Sequence, residues 1–338
     1  MRIGKLDNEM LERLVLGKTG MSREEVIKGA GIGEDCAVLD FGSYDCVLST
    51  DPITASAERI GALAVHVSCN DIAANGTEPI AIMLTVLLPP SVTEDEIEEI
   101  ARQAHETAKD LGVSIIGGHT EITDSVNRPL ISAVALGRAT KQEIIEEPEA
   151  GDVILVTKSL ALEGTGILAE KYSDILRRAM SDDEIDRAKA MLDRVSVVKE
   201  GVIAGKIGVS AMHDITEGGV LGAVWEVCSL KKTGAEIKME NLPFEDETLA
   251  LCAYLGIDPL KLISSGSMLI VARQGKELAL TKALQEAGIP VTTIGHMKPV
   301  SEGIVLIDRS GASEPIEPPG PDEVYKKIES AIEEEMDE

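Results

Sequence analysis

What most constrains this chain is its punctuation: short apolar runs alternate with segments of helical period, and glycine or proline closes most of them. Ile80 to Leu88 is an apolar stretch, interrupted only by Thr85 and ended by Pro89-Pro90. It is far too short to span a bilayer and has the length of a buried strand. Residues 57–75 before it place small and apolar side chains at helical spacing and stop at Asn75-Gly76. After it, Ser91 to Glu96 offers a cap and an acidic first turn for a helix through Leu111, with Gly112 as its stop. Val113 to Ile116 and Leu130 to Gly137 read as two more strands. Strand, helix, strand, helix, strand predicts an α/β or α+β fold.

The pattern restarts after a polar stretch, Lys141 to Asp152. Val153 to Thr157 opens a second half, with helices expected over 164–172, 182–206 and 217–230 and strands near 235–239, 267–273 and 291–295. The start, residues 7–17, reads as a short helix capped by Asp7 and stopped by Gly17. The end, 321–336, sets Val324, Ile328, Ala331 and Ile332 on one helical stripe. A length of 338 residues suits two domains. We expect them at 1–148 and 149–310, followed by an acidic tail, 311–338.

Composition narrows the function. Aromatic residues are 2% against 44% hydrophobic, so Val, Ile, Leu, Ala and Met must build the core. Stacking platforms for single-stranded nucleic acid are not expected. Acidic residues outnumber basic ones 59 to 32, a formal charge of −27. Such a surface neither neutralises phosphates nor seeks anionic lipid, which argues against nucleic-acid and membrane partners. The five cysteines are scattered with no C-x-x-C pair. That distribution fits a reduced, cytoplasmic setting, as does a start, Met1 to Met10, without a signal-type apolar core.

Two nucleotide motifs are near misses. Gly17-Lys18-Thr19 resembles the end of a P-loop, but Glu12 stands where that loop needs glycine. Glu217 to Gly222 lacks the first glycine of a dinucleotide fingerprint. More telling is a set of acidic residues at strand ends and glycine-rich turns: Glu34-Asp35, Asp51, Asp71 and the Gly117-Gly118-His119-Thr120-Glu121 turn. Any one could be a cap or a turn residue. Their grouping suits Mg²⁺, which takes a few oxygen ligands and shares its shell with phosphates, while glycine amides can approach those phosphates closely. A third motif, His213-Asp214-Ile215-Thr216-Glu217-Gly218-Gly219, is a strand-to-helix turn. Asp214 or Thr216 would cap the helix, or the turn would face an anion.

GIGEDCAVL from Gly31, STD at Ser49 to Asp51, SCNDIAANGTEP from Ser68, IIGGHTEI from Ile115 and AMHDITEGGVLGAV from Ala211 occur in the order seen in the AIR synthase (PurM-like) superfamily. The chain resembles that superfamily over residues 5–310 and is most similar to its HypE group. The resemblance implies a two-domain α/β fold whose N-terminal domain pairs in a homodimer and binds ATP and Mg²⁺. It implies Asp35, Asp51 and Asp71 as metal ligands, with Asn70, Gly117, Gly118 and Thr120 lining the nucleotide site. Asp214, Thr216 and Gly218 would make anion contacts, and Asp51, Asp71 and His119 would take part in the chemistry. His119 stands where several relatives carry an acid, and the final residues, Glu333 to Glu338, lack the terminal cysteine of HypE proper. The activity implied is ATP-dependent phosphorylation of a carbonyl or amide oxygen, on a small molecule or a protein. The alternatives are a small-molecule kinase like thiamine monophosphate kinase and a non-catalytic ATP-binding scaffold.

Overall fold

Two sheets divide the chain. The computed structural model describes residues 6, 8–16, 18–54, 59–140 and 147–326, and Ile328, Ala331 and Ile332 of the expected stripe lie outside them, as do Asp7 and Gly17. The first sheet holds β1 (Val26–Lys28), β2 (Ala37–Asp40), β3 (Tyr44–Ile53), β4 (Pro79–Leu88), β5 (Ser114–Ile122) and β6 (Leu130–Thr140), in the order β1-β2-β3-β6-β4-β5. After a short α1 (Asn8–Leu11), helices α2 (Ile60–Ala74) and α3 (Glu94–Asp110) accompany this sheet. The expected start of α3 forms as a capping box: Thr93 accepts from the Glu96 amide, and Glu96 accepts from the Thr93 amide. β4 and β5 run parallel, which the crossover through α3 requires.

The second sheet runs β13-β12-β9-β11-β7-β10-β8. Its strands are β7 (Val153–Thr157), β8 (Ala211–Asp214), β9 (Gly234–Lys238), β10 (Met268–Ala272), β11 (Val291–Lys298), β12 (Ile304–Ile307) and β13 (Ser313–Pro315). β7 and β10 are buried along their whole length, as their unbroken apolar runs predict. Of the helices α4 (Leu162–Lys171), α5 (Ser173–Leu176), α6 (Asp182–Lys189), α7 (Val198–Ile207), α8 (Gly219–Lys231), α9 (Asp246–Leu255) and α10 (Glu277–Glu286), α7, α8 and α10 pack on it, while α4, α5, α6 and α9 join the core that holds the first sheet. None of the described helices is long and apolar enough to cross a membrane.

The helical period over 182–206 is not one helix: α6 gives way to a 3-10 turn, Ala190–Arg194, and α7 starts at Val198. The reason is tertiary. Asn70 of α2 donates from Nδ2 to the Val195 carbonyl at 2.8 Å and accepts from the Val197 amide at 2.8 Å, trading helical bonds for cross-domain ones.

That clamp belongs to the joint on which the site depends. α2 is buried on nearly every side because α7 of the second half packs against it opposite the first sheet. The helices touch through glycine: a Cβ on Gly201 would sit 2.1 Å from the Ala73 carbonyl oxygen, and one on Gly205 would sit 2.6 Å from that of Gly76.

His66, also on α2, is pushed down to about 4, chiefly by burial and then by Lys158, and its Nδ1 has no hydrogen-bond partner. A neutral histidine in the fold ionises more easily once unfolded. Its stabilising contribution is therefore complete above pH 6.5 and is lost as pH falls toward 4. Denaturant midpoints should fall across that window more steeply in the natural protein than in His66→Gln, and parallel curves would contradict this placement.

Candidate active site

Where the two halves meet, a cavity of about 500 Å³ opens. Each half sends carboxylates into it by a different device. β3 alternates, so Ser49 and Asp51 share one face, and Asp71 comes from the last turns of α2. Asp35 sits in the glycine-rich loop before β2, and Asp214 is the final, fully buried residue of β8.

Asp71 is 5% exposed. Burial pushes its carboxyl well above the usual carboxylate range, and the nearby charges of Asp214, Asp51 and Asp35 push the same way. Ser49 donates its hydroxyl to Asp71 Oδ2, and the Asp51 carboxyl lies within hydrogen-bonding reach. Cys36 donates its thiol to the Asp71 carbonyl at 3.1 Å, and burial raises the thiol well above its ordinary range, so it is a packing group rather than a nucleophile.

His213 connects the halves. Its Nδ1 lies 3.0 Å from Asp35 Oδ1 and its Nε2 lies 2.8 Å from Glu226 Oε2. Burial alone would discharge the ring, but Asp35 and then Glu226 outweigh it and keep the imidazolium. Asp35, His213 and Asp214 bring one ligand atom each within 4.8 Å of one another. With both ring nitrogens engaged by carboxylates, His213 acts as a strut that fixes Asp35, and oxygen is what the site offers a cation. Four carboxylates crowded in a low-dielectric wall repel strongly unless protons or cations stand between them. A hard divalent ion such as Mg²⁺ fits that donor set.

The cavity thus gathers Asp35, Asp51, Asp71, Asp214 and Thr216. Three other expectations fall elsewhere. Asn70 does not line the cavity; its amide is consumed by the clamp on Val195 and Val197. Gly117, Gly118, His119 and Thr120 lie on β5, the far edge of the first sheet, three strand spacings or about 14 Å from β3. There His119 Nε2 meets Glu121 Oε2 at 3.1 Å, both side chains exposed. Gly218, the residue before α8, donates its amide to Asp322 Oδ2 at 2.7 Å, so a carboxylate of the chain itself caps that helix, and neither Asp214 nor Thr216 does.

Several residues of the wall escape a reading by motif. Tyr325 lines the cavity and donates its hydroxyl to Glu217 at 2.8 Å, and Asp322, which also accepts from the Ile263 and Val324 amides, anchors the segment that carries it. Glu163, 4% exposed, lines the same cavity. A single acid in the apolar run Leu160 to Ile167 was the available signal for it.

Residues 33–139 match the N-terminal domain of AIR synthase related proteins, and residues 149–308 match their C-terminal domain. The chain belongs to the AIR synthase related family. It is 27% identical over 316 residues to a protein of Methanocaldococcus jannaschii named for hydrogenase expression and formation, covering 90% of this chain and 91% of that one. It is 26% identical to the carbamoyl dehydratase HypE of Rhizobium leguminosarum, over 78% of this chain and 77% of the relative. A crystal structure of the hydrogenase maturation protein HypE in complex with ATP has the same fold, with a TM-score of 0.71 at 19% identity, covering 96% of this chain and 93% of that one. This AIR synthase related chain therefore has the two-domain α/β architecture that its motifs implied, with the carboxylates at the junction of the family's two domains.

Proposed function

We propose that this chain is a HypE-like enzyme that uses ATP to activate the oxygen of a carbamoyl group and remove it as phosphate. The observation that carries the reading is the convergence of Asp35, Asp51, Asp71 and Asp214 in one cavity between the two AIR synthase halves. A nucleotide triphosphate bears about four negative charges, which bare carboxylates would repel. Asp35, Asp51 and Asp71 would hold Mg²⁺, which when bound neutralises the phosphates and the carboxylates together. The residues of the chain then position the reactants: His213 and Glu226 fix Asp35, and Ser49 fixes Asp71.

The chemistry balances without a further reactant. The carbonyl oxygen bonds to the γ-phosphorus and ADP leaves; the C–O bond then breaks, phosphate leaves and a nitrile remains. The amide nitrogen gives up both protons, one leaving with phosphate and one to a base. The relatives named carbamoyl dehydratase support this class over simple kinase chemistry. Adding S-carbamoyl-N-acetylcysteine to the protein with Mg–ATP should release ADP in step with loss of the carbamoyl group. No ADP release above the ATP-only rate would refute the reading.

A homodimer accounts for the two separated motif groups. β5 is exposed along all nine residues, and Met83, Ile115, Ile116 and Ile122 leave that sheet edge apolar. A second copy pairing there would cover it, and residues 117–120, which form part of strand β5 and not the turn their glycines suggest, could then serve a nucleotide across the boundary. Light scattering should give twice the chain mass for the natural protein and a monomer for Ile116→Asp; a monomeric natural protein would exclude the pairing.

A further inference from the structure

We propose that Glu163 is the proton acceptor of this cavity, taking the N–H proton of the carbamoyl amide as its oxygen is phosphorylated. This rests on the function proposed above and adds a residue to it. Glu163 is the second residue of α4, in the wall shared with Asp71 and His213. Ser265 donates to its carboxylate through both hydroxyl and backbone amide, while Oε2 is buried with no partner. An unsatisfied buried carboxylate oxygen costs about 1–3 kcal/mol, so stability does not explain its presence. The turn that delivers it is itself constrained. Ala161 holds a left-handed backbone, φ 60°, with its amide donated to Ser264 Oγ at 2.7 Å.

Its surroundings suit a base that works near neutrality. Burial pushes the carboxyl up to about 7; the bonds from Ser265 oppose this, and Asp322 and Glu217 add to it. Those acids face it from the 322–325 segment and from the turn before α8; of the other titratable groups there, Tyr325 donates its hydroxyl to Glu217, and Glu323 accepts from the Asp258 amide and pairs with Lys326. The site divides accordingly: the first half supplies most of the carboxylates for cation and phosphates, and the second supplies the proton acceptor. In the step, the N–H electron pair stays on nitrogen to form C=N, the proton passes to Glu163, and the carbonyl oxygen bonds to phosphorus as the bond to ADP breaks.

The test uses the full chain with Mg–ATP and S-carbamoyl-N-acetylcysteine. Glu163→Gln should slow carbamoyl-stimulated ADP release at least about 100-fold, with Mg–ATP affinity within about twofold of the natural protein. Glu163→Asp should recover part of the rate. The natural rate should rise with pH through a midpoint near 7, and Glu163→Gln should lack that limb. A Glu163→Gln variant with the natural rate and profile overturns the assignment, as does a loss of rate matched by an equal loss of Mg–ATP affinity. If the natural protein binds Mg–ATP but releases no ADP with the probe, the functional reading fails and the role of Glu163 falls with it. Activity in both proteins removes Glu163 alone.

Discussion

Asp71→Asn should melt at a higher temperature than the natural protein when no ligand is present, yet gain nothing from Mg–ATP. Asp71 is buried among Asp214, Asp51 and Asp35, and every one of those charges works against its ionised form. Removing it relieves the repulsion while the Ser49 hydroxyl still finds an oxygen to donate to. Gains of about 1–2 kcal/mol are usual when a strained functional group is neutralised. On the function proposed above, the same change also removes a ligand from the cation that would separate nucleotide from carboxylates. The natural protein should gain about 2.7 kcal/mol at a hundredfold excess of Mg–ATP over Kd, and Asp71→Asn close to none. Calorimetric melting with and without Mg–ATP checks both parts. A variant that is less stable without ligand and still stabilised by Mg–ATP would contradict the account of this residue.

Gly201→Ala should destabilise the protein, although the same change in an exposed helix would add about 1 kcal/mol. The new methyl would stand 2.1 Å from the Ala73 carbonyl oxygen, a backbone atom that cannot turn aside. α2 and α7 must part, at a cost of about 1–3 kcal/mol or more. Asp71 rides on α2, two residues before Ala73, and His213 and Asp214 follow α7 in the other half. Separating the helices therefore spoils the cavity as well as the joint. Melting temperature and Mg–ATP affinity should fall together in Gly201→Ala, whereas a stabilised variant would show that the halves are not held this closely.

How much of this was legible in the sequence follows from which forces act locally. The caps and stops around α3 are written within a few residues, and its capping box appears where Thr93 and Glu96 put it. β7 and β10 are readable because burial on both faces demands unbroken apolar runs. The break at Val195–Val197 is not readable, because helical period persists there while Asn70, more than a hundred residues away, takes the backbone bonds. The candidate site shows the same division. Asp35, Asp51, Asp71 and Asp214 could be picked out from motifs that resemble a family. Glu163, Asp322 and Tyr325 belong to no motif and matter through burial and long-range contacts. The glycines at 117 and 118 suggest a turn, but 117–120 continue strand β5, and their distance from the carboxylates depends on sheet order, which local pattern does not encode.

The central claim is that the cavity moves an oxygen atom from a carbamoyl group to phosphate. The measurement that tests it most directly is the fate of that atom, followed with S-carbamoyl-N-acetylcysteine carrying ¹⁸O in its carbonyl, in the presence of Mg–ATP. The account predicts one ¹⁸O in each inorganic phosphate formed, with ADP and the nitrile product in equal amounts. Phosphate formed without label would mean that water, not the carbonyl oxygen, attacks ATP, and would contradict it.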